Sequence, residues 1–298
     1  MSRLTWTLLA VAALALVLAL AAGALLVTGD DSQPSSRPAP GESFSLPLAE
    51  SPDALAVAKH DRDLLVGVAA REGGPVEVAA LRAEGAVATD DLSFELDGQP
   101  VDAKACGLGC SRLDAQVLDG SPSRLSVREG SETVSFELPA ALPPSGAALF
   151  GRAQRTMADL RSFRYLERLT SGGPAVVTRY EVQAPDRLAF RTASGFRSVI
   201  IGKQRWDLHD GRWERTPFPG LTVREALMWY RAKNARVVGT ENGVTELSAF
   251  GLKPVPAWFR LGVEPNGRVA EAEMIAPSHF MLHRYSDFDG DVSIEAPK

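Results

Sequence analysis

The residues best suited to metal chemistry lie in "HFMLHRY" (His279 to Tyr285), where His279, Met281 and His283 alternate. On a strand, alternation puts all three on one face. At about 3.4 Å per residue the two histidine Cα atoms stand about 14 Å apart, too far for one simple chelate. His279 and Met281, about 7 Å apart, are the candidate pair if another strand adds ligands. The chain's two cysteines, Cys106 and Cys110, close the loop "CGLGC". Their spacing is not the redox CxxC, and a closed soft-metal site usually wants more than two sulfurs. In an exported chain such a pair reads as a disulfide that fixes a loop's shape. Copper handling through Cys106, Cys110, His279 and Met281 is the alternative. Asp287, Asp289 and Asp291 alternate along "DFDGDVSIE", but the glycine and final Glu miss the EF-hand positions, which favours a solvated terminal strand or turn over calcium. GxSxG, HExxH, P-loop and GxGxxG signatures are absent. The chain therefore reads as a non-enzyme with no cofactor and no assigned metal.

Apolar chemistry is better represented. In "RWDLHDGRWERTP" (Arg205 to Pro217) an Asp-Gly pair at Asp210 and Gly211 supplies the positive φ angles of a primed hairpin turn. Counting outward, His209 faces Arg212, Leu208 faces Trp213, Asp207 faces Glu214 and Trp206 faces Arg215. Trp206, Leu208 and Trp213 then share one greasy face, and Asp207, His209, Arg212 and Glu214 share a wet one. His209 falls among solvated charges. Alternation elsewhere sets Phe259, Leu261 and Val263 against Arg260 and Glu264, and Tyr180 and Val182 against Arg179, Glu181 and Gln183. Both stretches describe strands with one sheltered face.

These strands belong to a chain of 298 residues with 37 acidic and 32 basic side chains, a net charge of -5. That balance offers no global attraction to nucleic acid. Leu8 to Val27 is an unbroken run of twenty apolar or glycine residues, long enough to span a bilayer core. Arg3 before it, with Asp30 and Asp31 after it, places the N-terminus in the cytoplasm and the remainder outside. A signal peptide cleaved near "ALA" (Ala19 to Ala21) is the competing reading, in which the body is secreted. "TGDDSQPSSRPAPGES" (Thr28 to Ser43) follows as an extended tether.

Glycine turns at about ten-residue spacing between Leu48 and Leu138 suggest an antiparallel sandwich of about seven strands. "LPAALPPSG" (Leu138 to Gly146) reads as a second linker. "AALFGRAQRTMADLRSF" spaces Leu149, Ala153, Met157 and Leu160 as an amphipathic helix, and a long antiparallel meander of about ten strands follows. "TVREALMWYRAK" places Val223, Ala226, Leu227 and Tyr230 at i, i+3, i+4 and i+7, which predicts a short helix lying across the sheet. The division is 1–28 membrane or signal segment, 29–47 linker, 48–138 sandwich, 139–146 linker and 147–298 curved sheet. The fold class is mainly β, with α+β character in the last part.

From residue 147 to about 290 the order of elements resembles the LolA-like lipoprotein-carrier superfamily. The resemblance is carried by a leading helix, "PDRL" (Pro185 to Leu188) after the early strands, and an "IGxxxW…GxW" hairpin from Ile201 to Trp213. It implies an unclosed barrel whose apolar concave face is lidded by helices and holds acyl chains or another lipid-like ligand. Trp206, Leu208 and Trp213 are then candidates for the concave wall, with Phe218, Leu227, Trp229, Phe259 and Leu261 completing the ligand-binding set. An apparent membrane helix and an additional N-terminal sandwich depart from that family. The sandwich weakly resembles the immunoglobulin-like domains found near copper-resistance membrane proteins, without their ligands.

The resulting expectation is a membrane-tethered extracytoplasmic protein that binds a lipid, acyl chain or other hydrophobic ligand. A sensor that recognises another envelope protein through a filled core is the alternative.

Overall fold

The computed structural model describes residues 44, 46–83, 85–171, 173–252 and 255–298. The expected membrane segment and the tether to Ser43 lie outside the described residues. Among the described residues, no helix is long and apolar enough to cross a membrane.

The first body is a two-sheet sandwich. Its strands are β1 (Leu55–Asp61), β2 (Leu64–Ala70), β3 (Val76–Arg82), β4 (Gly85–Ala86), β5 (Leu92–Leu96), β6 (Gln99–Pro100), β7 (Ala103–Gly107), β8 (Cys110–Leu113), β9 (Ser123–Glu129) and β10 (Glu132–Leu138). One sheet runs β1-β2-β3-β8-β7 with β4 beside β3, and the other runs β10-β9-β5-β6. Val66, Val68, Val78, Leu125, Val127 and Phe136 form the core between them. The expected two-layer sandwich is present, but not the immunoglobulin strand order. There the third strand belongs to the opposite sheet, whereas here β1, β2 and β3 are consecutive neighbours in one sheet.

Helix α1 (Ala147–Ala158) opens the second body and buries Phe150, Ala153 and Met157. Then come β11 (Ser162–Thr170), β12 (Val176–Gln183), β13 (Arg187–Thr192), β14 (Arg197–Ile201), β15 (Gln204–His209), β16 (Arg212–Pro217), β17 (Lys233–Glu241), β18 (Val244–Gly251), β19 (Ala257–Val263), β20 (Val269–Ala276) and β21 (His279–Ser286). They form one 11-stranded antiparallel sheet, ordered β16-β15-β14-β13-β12-β11-β21-β20-β19-β18-β17. It is curved and not closed into a barrel. β11 therefore sits at the centre, paired with both β12 and β21, and its two flanks fold around the same inner face.

Residues 218–232, expected to contain a helix, form a run of single turns held by i→i+3 backbone bonds such as Tyr230 N to Leu227 O and Ala232 N to Trp229 O. The reason is burial: Ala226, Leu227, Met228 and Trp229 are all buried in succession. A surface helix shelters only one stripe, whereas here four consecutive residues are buried against α1 and the sheet's inner face while Pro219, Thr222, Arg224 and Arg231 stay exposed.

The two bodies share a third core. Leu46, Leu48, Ala56, Leu65, Ala69 and Leu81 of the sandwich side pack against Phe250, Trp258, Ile275 and Phe280 on the outer face of β18 to β21. This explains why all seven residues of β2 are buried: one side faces the sandwich core and the other the large sheet. Gly67 permits the approach, since a Cβ there would run into the Trp258 ring. The linker after Leu138 is also pinned. Pro144 O accepts from Val237 N at 2.9 Å, and Gly146 N donates to Ala235 O at 2.7 Å. The buried Arg236 guanidinium donates to the carbonyls of Ala54, Pro143 and Pro52, joining both bodies and the linker.

Candidate functional site

The hairpin forms with the expected register: His209 to Arg212, Leu208 to Trp213, Asp207 to Glu214 and Trp206 to Arg215. Asp210 and Gly211 have φ of 47° and 78°, as a primed turn requires. Its orientation is the reverse of the expected one. Following directly paired residues across the sheet, Phe163 meets Val182, Val182 meets Leu188, Leu188 meets Ile200, and Ile200 meets Arg205. The inner face thus runs from the apolar core into Arg205, Asp207 and His209. Trp206, Leu208 and Trp213 lie on the outer face, where all three are half-buried. They are not part of the inner wall. The polar side faces inward because Arg205 and Asp207 satisfy each other at 2.8 Å, while Phe196 approaches His209 with ring centroids 5.7 Å apart.

The other five candidates do converge. Phe218, Leu227 and Trp229 from the turn segment, and Phe259 and Leu261 from β19, belong to one core cluster with Phe150 and Met157 of α1 and Phe163, Tyr165 and Tyr285 of the sheet. Trp229 is its keystone, fully buried and edge-on to Phe150 at 5.8 Å. In this conformation the inner face is filled by these side chains.

A chain of polar groups runs through that cluster. Trp229 Nε1 donates to Tyr285 Oη at 3.2 Å, and Tyr285 Oη lies 3.3 Å from His283 Nδ1. His283 Nε2 is 2.8 Å from Glu167 Oε2, and Tyr180 Oη donates to Glu167 Oε1 at 3.2 Å. One assignment satisfies every member: Tyr285 donates to an unprotonated Nδ1, and His283 donates from Nε2 to the carboxylate. Burial, then the neighbouring Glu167 charge, pushes the Tyr180 hydroxyl well above its ordinary range. Burial first, with the charges of Tyr180, Glu167 and Tyr285 after it, does the same to Tyr165, and burial raises Tyr285. Such a network is costly when half-made and rigid when complete.

His283 is therefore a buried partner of Glu167. Alternation along "SFRYLERL" marks Glu167 as a carboxylate in line with Phe163, Tyr165 and Leu169, but nothing local reveals its partner 116 residues away. His279 and Met281 share a strand face with His283, as expected. His279 Nδ1 lies 3.0 Å from Pro277 O, and Met281 joins the inner cluster. Among the described residues, Glu77, Cys106 and Cys110 are grouped closely enough for one ion. Cys106 and Cys110 are bonded to each other as the expected disulfide, which removes the thiolates that copper handling needs. Asp287 pairs with Arg164 at 2.8 Å, and Asp289 accepts from Arg161 N at 2.8 Å, so these carboxylates organise the terminal turn.

No family model matches the chain, and no curated protein matches it. Among solved structures, LprF from Mycobacterium bovis is similar at 11% identity with a TM-score of 0.40, covering 52% of this chain and 99% of its own. The lipoprotein LppX from Mycobacterium tuberculosis is similar at 15% identity with a TM-score of 0.39, covering 50% of this chain and 98% of its own. Identities and scores this low transfer neither a ligand nor a residue's role.

Proposed function

We propose that the chain is an extracytoplasmic binding protein whose curved sheet takes a lipid, acyl chain or other hydrophobic ligand on its inner face, and that the described conformation is a closed form in which the protein's own side chains fill that face. The carrying observation is the cover itself. Residues 218–232 fill an apolar concavity without forming a regular helix, and the Trp229 indole is held to the sheet by its bond to Tyr285. A ligand that supplied equivalent apolar surface could take the place of Leu227 and Trp229, because burial favours either occupant at about 25 cal/mol per Å². Phe218, Leu227 and Trp229 would be the moving wall, with Phe259, Leu261 and Phe163 the fixed one. Catalysis has no part in this reading, and a tether to the membrane comes from the apolar run at Leu8 to Val27.

The test is native mass spectrometry of residues 44–298 purified without detergent, followed by organic extraction and lipid analysis. Starting at residue 44 retains Leu46 and Leu48, which belong to the core between the bodies. A discrete adduct of lipid mass is expected. A bare mass together with no saturable uptake of a fluorescent fatty acid would contradict the reading. The packing of Trp229 and Leu227, 0% and 2% exposed, favours a second reading in which the core stays filled and the protein recognises another envelope protein. Cross-linking in intact cells that captures one partner, with no extractable lipid, is the outcome that supports it.

A further inference from the structure

Among the described residues, the sheet's outer face is covered in two places only. One cover is the sandwich. The other is the C-terminal tail, near the start of β11 and the β12–β13 turn, where Arg187 donates to Ile294 O, Ile294 N donates to Gln183 Oε1, and Val292 and Ile294 are buried. Over β18 to β21, Phe250, Trp258, Ile275 and Phe280 are sealed by the sandwich. Over β14 to β16, the same face carries Val199 paired with Trp206 and Leu208 paired with Trp213, all half-buried.

Beside these apolar residues, Arg179 stands directly opposite Arg191, and Arg191 directly opposite Arg197. All three are exposed, and among the described residues none has a carboxylate partner in an ion pair. Like charges directly opposite on neighbouring strands destabilise a sheet, so this row is an uncompensated cost within the folded chain. The arginines line a groove of about 400 Å³ with Val177, Thr192 and Gly195. A further guanidinium, Arg215, lies 5.6 Å above the Trp206 ring. In a chain of net charge -5, this flank concentrates positive charge beside half-buried indoles.

We propose that this outer flank docks on an anionic lipid bilayer. Lipid phosphates would neutralise the Arg179, Arg191 and Arg197 row, while Trp206, Leu208 and Trp213 enter the headgroup region, where indoles are favoured. A planar surface suits the site because the basic row and the indoles share one sheet face rather than converging on an enclosed pocket. Only residues 28–43 separate the body from the apolar run at Leu8 to Val27, so a chain anchored there would hold this flank within reach of headgroups. The proposal is independent of what the inner face binds, since none of these residues points inward.

The test uses the full chain in nanodiscs of phosphatidylcholine alone or of an equal mixture with phosphatidylglycerol, with hydroxyl-radical footprinting of Trp206 and Trp213. Oxidation of both indoles is expected to fall severalfold on anionic nanodiscs and not on neutral ones. The protection should disappear in Arg179→Gln/Arg191→Gln/Arg197→Gln, a variant that relieves like-charge repulsion and so should remain folded. Arg179→Glu/Arg191→Glu/Arg197→Glu should lose the protection as well. Equal oxidation on the two lipids would overturn the proposal. So would the same protection from inorganic phosphate with neutral nanodiscs, which would make the row a site for free anions, and so would protection that persists in the glutamine variant.

Discussion

If residues 218–232 are a displaceable cover, Tyr285→Phe should loosen it and tighten ligand binding. The lost hydroxyl leaves two buried groups unpartnered in the closed form, Trp229 Nε1–H and His283 Nδ1. Leaving buried polar groups unsatisfied costs about 1–3 kcal/mol. Displacing the segment returns the indole N–H to water, which recovers part of that cost in the open form only. With every 1.4 kcal/mol worth tenfold, full recovery would raise the open population about 5- to 140-fold, so the rise should lie below that ceiling. While that population is small, the apparent Kd should fall by the same factor, because apparent affinity scales with the competent fraction. The assay is titration of a fluorescent fatty acid into wild type, Tyr285→Phe and Leu125→Ala. Leu125 is fully buried in the sandwich core, so its truncation should cost about 2–5 kcal/mol of stability with no gain in affinity. Equal affinity in wild type and Tyr285→Phe would refute the latch, and an equal gain in Leu125→Ala would show that general loosening, not the Trp229 bond, governs uptake.

Other outcomes follow from the packing. Gly67→Ala drives a methyl group into the Trp258 ring, so denaturant unfolding should show a loss of about 1–3 kcal/mol from overpacking, and Gly67→Ala/Trp258→Leu should recover part of it. Removing the Arg236 guanidinium in Arg236→Met strands the carbonyls of Ala54, Pro143 and Pro52; a lowered Tm and faster proteolysis in residues 139–146 are expected. Tyr165, Tyr180 and Tyr285 all have hydroxyl pKa values raised above the ordinary value near 10. Above pH 10 the unfolded chain releases these protons and the folded chain keeps them, so stability is complete below pH 10 and falls as pH rises. Each tyrosine steepens that fall by about 1.4 kcal/mol per pH unit, and Tyr165→Phe should make the alkaline transition measurably shallower.

The hairpin shows what a sequence can and cannot specify here. Asp210-Gly211 fixes the turn, the turn fixes the register, and the register sorts the side chains into two faces. Which face turns inward depends on the strands leading to it, and the deciding chain of pairs begins at Phe163, about forty residues earlier. The greasier face lost because Arg205 and Asp207 neutralise each other inside. The contact between the bodies leaves a trace in "LLVGVAA", a strand apolar on both faces, and in adjacent Trp258 and Phe259, one for each side of the sheet. Its partner surfaces, however, lie nearly two hundred residues apart. Likewise the apolar spacing in "TVREALMWYRAK" fits a helix, but not one whose Ala226 to Trp229 are buried in sequence. Glu167 and His283 are each ordinary in their own strands and acquire meaning only as neighbours across β11 and β21.

Displacement of residues 218–232 by a hydrophobic ligand is tested most directly by hydrogen exchange over 223–230, measured with and without saturating long-chain fatty acid. Faster exchange of these amides in the presence of the fatty acid, with β11 and β21 unchanged, is the expected result. Unchanged or slower exchange at saturation would contradict the claim, because the cover would then have stayed in place while the ligand bound elsewhere.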